Sequence, residues 1–148
     1  MKGILKFPLI AAAVVVVLRV IVERAGAPVV VSNMLSVAAL HTLLGPLYFA
    51  VRIGGASTQR PYLMLIKLIG IYAIWTRAMI LPTYWLARIF GWPEPRFAGL
   101  AGPHVTPFVG FIALPFVTAG FWIAASIAIG GAIGATALAI VRSRIKTT

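Results

Sequence analysis

Residues Tyr62–Phe90 read YLMLIKLIGIYAIWTRAMILPTYWLARIF, a hydrophobic stretch that carries three cations, Lys67, Arg77 and Arg88. As a helix, Lys67 to Arg88 covers roughly 31 Å, about the thickness of a bilayer's hydrocarbon core. In a spanning helix Lys67 and Arg88 stand near opposite boundaries, and Arg77 falls close to the middle. A guanidinium stays charged and presents five donors, and inside a membrane it is costly. Such a residue marks a functional or partner-binding position. At helical spacing Lys67, Gly70, Ile74, Arg77, Leu81, Tyr84 and Arg88 share one face. Lys67 and Arg88 can snorkel to the two interfaces, whereas Arg77 is too deep to do so. Pro82 predicts a kink and frees the carbonyl of Ala78.

The rest of the chain supports lipid as its main solvent. Of its 148 residues 61% are hydrophobic and 10% charged, with a mean hydropathy of +1.04. Soluble domains carry about 25% charged residues. The length corresponds to a single domain, 1–148. Thirteen Lys and Arg stand against only Glu23 and Glu94, giving a formal charge of +11. The basic residues flank hydrophobic segments, which points to anchoring and orientation and away from a nucleic-acid partner. The absence of cysteine removes disulfides, thiolate metal sites and a cysteine nucleophile.

Three further apolar segments predict spans, so the expected fold is all-α and integral to a membrane. It has four transmembrane helices in an antiparallel bundle, at about 4–24, 28–52, 62–90 and 117–141, with an outer loop at 91–106. The first segment resembles a secretory signal, but Arg19 interrupts it and Pro28 would follow the A-x-A site, so a retained helix is the reading. Arg19 and Glu23 share a helix face and can neutralise each other. The second segment contains His41, Gly45, Tyr48 and Arg52 on one stripe, with a bend expected at Pro46 that frees the Thr42 carbonyl.

The last apolar run, Pro107–Val141, would be roughly 51 Å long as one helix. A break or kink near Pro115–Gly120 is therefore expected, with the preceding portion at or dipping into the outer interface. A single strongly kinked helix is the alternative. Ser126, Gly130 and Gly134 form a small-xxx-small stripe for close helix packing. In the outer loop, Trp92 and Phe97 are expected at headgroup level.

Charge counts orient the four spans. Lys2, Lys6, Arg52, Arg60, Arg142, Arg144 and Lys146 fall on one side, with Arg24, Arg96 and both glutamates on or near the other. The positive-inside rule then places both termini in the cytoplasm of a bacterial-type inner membrane.

No motif names a reaction. There is no carboxylate pair, HExxH or nucleophile elbow, and His41 and His104 lie at unmatched depths, so no catalytic set and no metal site are expected. The sequence leaves the cofactor unknown. The residues proposed to bind a ligand or partner are Arg77, Tyr84, Lys67, Arg88, His41 and Tyr48. Since no acid of this chain shares the depth of Arg77, its counterpart is a released carbonyl, His41, Tyr48, water, a lipid phosphate, or an acid from another chain. Three functions follow. The first is an accessory or scaffold subunit that binds another membrane subunit, itself or a lipid through Arg77. The alternatives are a small oligomeric transporter or channel for an anionic solute, and a cofactor-free lipid- or quinone-handling enzyme using His41, Tyr48, Tyr72 or Tyr84.

Overall fold

The computed structural model describes residues 2–56, 58–97 and 104–146. Ser57, part of the loop after Phe97 (98–103, including Gly99 and Gly102) and the side chains of Lys2 and Lys146 lie outside the described residues. Four helices are long and apolar enough to cross a membrane: α1 (Gly3–Arg24), α2 (Val29–Gly54), α3 (Pro61–Phe90) and α4 (Val109–Ile145). No strand occurs among the described residues.

The third helix is the hub. Its buried positions include Leu65, Leu68, Ile69, Tyr72, Ala73, Thr76, Arg77, Ile80, Thr83 and Ala87, which recur every three or four residues and form one stripe. That stripe meets α1, the second half of α2 and much of α4. The apolar core falls into layers that follow α3. Phe49, Ile53, Leu65, Leu68, Ile69, Tyr72 and Leu138 pack around Ala12 in the first. Val16, Val37 and Ile80 make the next, and Ala87 and Phe97 the last. Elsewhere large apolar side chains point outward, as Phe7 (67%), Val117 (70%) and Phe121 (65%) do. Water would penalise so wide an apolar exterior, whereas hydrocarbon would not.

Glycines end two elements in the left-handed region, Gly26 (φ 77°) after α1 and Gly91 (φ 59°) after α3, where a side chain would be strained. Pro82 lies inside α3, and the helix runs unbroken through it.

The second and fourth helices are less regular, for a legible reason. In each, a five-residue π-helical segment directly precedes a residue-plus-proline pair: Leu40–Leu44 before Gly45-Pro46, and Val109–Ala113 before Leu114-Pro115. A proline ring crowds the carbonyl four residues earlier, and a wider turn relieves it. One such carbonyl, on Phe111, accepts the indole N–H of Trp85 at 2.8 Å. A third π-helical segment, Ser126–Gly130, lies against the first. α2 also breaks near its start, where Leu35 leaves helical geometry and Ser36 caps the next turn through the amide of Ala39.

Two expectations change. The last apolar run does not break at Pro115–Gly120, because Leu114–Ala125 is regular α-helix and the distortion is displaced one turn upstream and to Ser126. The helical run already includes Val109–Ala113 and continues into the segment expected to span from about Val117. Phe97, expected at headgroup level, is covered by the protein itself. It is 1% exposed, on a short 3₁₀ turn (Pro95–Phe97), and its ring meets those of Tyr84 and Trp92 edge-on.

Candidate functional site

Between the first two apolar layers lies the polar layer of the protein. Arg77 on α3, His41 on the π-helical part of α2 and Ser126 at the π-helical start on α4 meet there, and all three are buried. Arg77 Nη2 is 2.5 Å from His41 Nε2, and His41 Nδ1 is hydrogen-bonded with Ser126 Oγ. The Ser126 hydroxyl lies 2.6 Å from the Trp122 carbonyl.

These contacts fix every proton. Guanidinium nitrogens only donate, so His41 Nε2 must accept. The imidazole is then neutral with its proton on Nδ1, Nδ1–H donates to Ser126 Oγ, and the Ser126 hydroxyl donates to Trp122. The order runs from cation to carbonyl without a mismatch. It also excludes a reading that a serine–histidine contact invites, since a histidine that donates to a serine is not its general base.

The same chain of contacts bears on the cost of burying this charge. Were the helix to cross a membrane, a guanidinium at its centre would cost about 3 kcal/mol on insertion scales. A hydrogen bond from a charged donor returns about 1.5–3 kcal/mol. The Trp122 ring, 5.2 Å from the guanidinium carbon, adds about 0.5–2 kcal/mol. The two gains together are of the size of that cost, with the Arg77 Nε still left without a partner.

Loss of the serine should be measurable. Ser126→Ala leaves His41 Nδ1–H without its acceptor and is expected to lower unfolding free energy by about 1–3 kcal/mol in detergent. Thr136→Ala, which removes an exposed hydroxyl bonded only to its own helix at Ala132, should change it by less than about 0.5 kcal/mol. Equal effects would contradict the assignment.

On its other side Arg77 borders a cavity of about 210 Å³, lined by Arg19, Val37, Ala38, Arg77, Ile80, Tyr84, Arg96 and Trp122. Three guanidinium groups share this space, and none of its described lining residues is acidic. Arg77 Nε and Arg96 Nε are buried without a hydrogen-bond partner, and Arg96 Nη2 meets Glu23 as an ion pair only. Arg19 and Arg96 are also walls of a second cavity of about 360 Å³ beside Ser32, Asn33, Glu23 and Glu94. Both glutamates of the chain therefore sit at this outer space. Glu23 bridges the shared walls, with Oε1 2.9 Å from Arg19 Nε and Oε2 2.7 Å from Arg96 Nη2. Glu94 pairs with Arg24 at 2.9 Å. Burial pulls the Arg96 guanidinium below its ordinary pKa, and Glu23 pulls it back up.

The residues expected from the sequence divide. Arg77, His41 and Tyr84 come together around the polar layer and its cavity. Tyr48 does not: it packs on Phe7 and Phe49 within the first apolar layer. Lys67 is exposed. Arg88 donates to the Val105 carbonyl, just ahead of α4, at 2.9 Å and lies 5.0 Å from the Phe111 ring. The cationic stripe on α3 is thus split among three surroundings. Ser126 does more than permit close packing, since it receives His41. Gly130 and Gly134 do face neighbours: a Cβ on Gly130 would lie 2.8 Å from Pro46 Cγ, and one on Gly134 would lie 3.2 Å from Leu65 Cδ2.

Arg19, Arg96 and Trp122 were not expected at the site. Spacing alone pairs Arg19 with Glu23 four residues on and gives Arg96, in the outer loop, no partner. The one available signal was stoichiometric: a lone carboxylate with four lone-pair positions can hold a second arginine. No group of three His, Asp or Glu suited to a metal occurs among the described residues. No family model, curated protein or solved structure matches the chain.

Proposed function

We propose that this is a multi-pass membrane protein that takes an anionic group into the cavity walled by Arg19, Arg77 and Arg96. The observation that carries the reading is three guanidinium groups around one small space with no acid on its wall. Arg77 is only 7% exposed, so an acidic side chain on a neighbouring subunit would have to enter the bundle to meet it. A small anion or a lipid headgroup can reach it through the outer space, whose walls Arg19 and Arg96 are also walls of the inner one. This favours ligand binding over the docking of another subunit as the role of Arg77.

In this reading the four helices cross a bacterial-type inner membrane as an antiparallel bundle with both termini in the cytoplasm, so the Glu23–Glu94 end faces outward. The first apolar layer, from Phe49 to Leu138, then lies on the cytoplasmic side of Arg77. The site is therefore a binding pocket reached from outside. Two cavities in series support a second reading, transport of the same anion, in which the π-helical segments of α2 and α4 rearrange to open the inner layer. The serine–histidine contact lends no support to an enzyme, for the reason of proton order given above.

Two measurements test this. The chain has no cysteine, so Ala25→Cys and Gln59→Cys each introduce a unique label site. An impermeant maleimide on intact cells should label the first, and the second only after permeabilisation; the reverse pattern would reject the orientation. For binding, oxyanions such as phosphate or malonate should raise the melting temperature of the purified protein in dodecyl maltoside at constant ionic strength. At a hundred times the dissociation constant the gain is about 2.7 kcal/mol. No rise with any oxyanion would remove the reading.

A further inference from the structure

Resting on the binding reading above, we infer that the ligand of the inner cavity is a phosphate monoester group, and that the Glu23 carboxylate is the gate through which it enters. The charges and donors set the class. Arg19, Arg77 and Arg96 wall the inner cavity, and Glu23 is the carboxylate paired with two of them, which leaves two positive charges in excess. A phosphate monoester carries close to two negative charges at neutral pH and three terminal oxygens. A monocarboxylate has one charge and two oxygens, enough for one guanidinium fork. Arg77 Nε and Arg96 Nε, buried and without partners, are donors still to be satisfied. Tyr84 adds a phenol to the same wall, and the Ile80 and Trp122 surfaces suit the carbon part of an ester.

Glu23 sets the access. It lines the outer cavity but not the inner one, and it ties Arg19 to Arg96, the two walls that the cavities share. An anion passing inward must part this bridge. The carboxylate is a resident counterion that holds the arginine pair while the site is empty and repels the ligand as it arrives. Removing its charge should therefore tighten binding, the opposite of what deletion of a site residue usually does.

The test uses the full chain in dodecyl maltoside, a phosphate-free detergent, with intrinsic tryptophan fluorescence as readout, because Trp122 lines the cavity. Three probes are titrated: glycerol 3-phosphate, dihexanoyl phosphatidic acid, and malonate as a dianion of different shape. Both phosphates should bind at least about tenfold more tightly than malonate. Equal affinity for the two phosphates identifies a soluble ester as the ligand source. An advantage of about tenfold or more for phosphatidic acid identifies a lipid headgroup. Glu23→Gln should tighten phosphate binding by about tenfold. If that variant does not fold, Glu23→Asp keeps the charge but withdraws it from one arginine, and should tighten binding by about threefold. Malonate binding as well as the phosphates would overturn the ligand class, and unchanged or weaker binding in the Glu23 variants would overturn the gate. Either result leaves anion binding intact. No response to any of the three probes would reject the binding reading with it.

Discussion

Arg77→Gln is expected to weaken phosphate binding by about a hundredfold while the protein remains folded. Removing one partner of a buried charged contact costs about 2–5 kcal/mol, and each 1.4 kcal/mol is tenfold in affinity. The fold should survive because the glutamine amide, although two bonds shorter than the guanidinium, can supply a donor to His41 Nε2 through a water in the vacated space, so the proton order through Ser126 to Trp122 is preserved. It also removes a buried charge whose burial was only just offset. The melting temperature of the empty protein should therefore stay level or rise. Arg77→Leu is the informative contrast. It removes the charge and also leaves His41 Nε2 without a donor, so it should lose binding and stability together, the second by about 1–3 kcal/mol. A binding constant for Arg77→Gln within threefold of wild type would show that the anion sits elsewhere.

The second large effect concerns the contact that holds the site's helices together. Gly130 is where the π-helical segments of α2 and α4 approach. A Cβ there would lie 2.8 Å from Pro46 Cγ, 3.2 Å from the His41 carbonyl oxygen and 3.3 Å from that of Thr42. A proline ring and two backbone oxygens cannot swing aside, so α4 itself must move. Gly130→Ala is expected to cost about 1–3 kcal/mol, and Gly130→Val more. Gly134→Ala, whose nearest contacts are 3.2 Å and longer and include the flexible end of Leu65, should cost less. Gly120→Ala meets nothing within 4 Å and should be neutral or slightly stabilising through helix propensity. Unfolding of the three variants in detergent should follow that order. A Gly130→Ala protein as stable as wild type would mean that the helices do not approach as described. Because His41 and Ser126 flank this contact, the same variant should also weaken anion binding.

Several features could be read from the sequence because they depend on local composition. Helix lengths follow from apolar runs, and the depth of Arg77 follows from counting along α3. His41 was one of several counterparts open to it, since both lie near the middle of their segments. The site itself was less accessible. Proline spacing pointed to distortion, but not to whether it would appear as a break at Pro115 or as a widened turn before it. That depends on whether neighbouring groups accept the freed carbonyl, as Trp85 does for Phe111. Tyr48 shares a stripe with His41 in an ideal helix, but the π-helical segment between Leu40 and Leu44 turns the later residues, and Tyr48 points into the first apolar layer. Arg96 reaches Glu23 only because Phe97 is buried and draws its short turn inward. That tertiary anchor has no local sequence signature.

The central claim is that the arginines of one cavity hold one phosphate group. The direct measurement is phosphorus–nitrogen distance by solid-state NMR, on protein labelled with nitrogen-15 in its arginine side chains and loaded with glycerol 3-phosphate. Three guanidinium groups should show dipolar dephasing from phosphorus corresponding to about 3–5 Å, as charge-assisted hydrogen bonding requires. One of those signals should vanish in Arg77→Gln. Dephasing confined to signals that survive in Arg19, Arg77 and Arg96 variants, or none at all, would contradict the account.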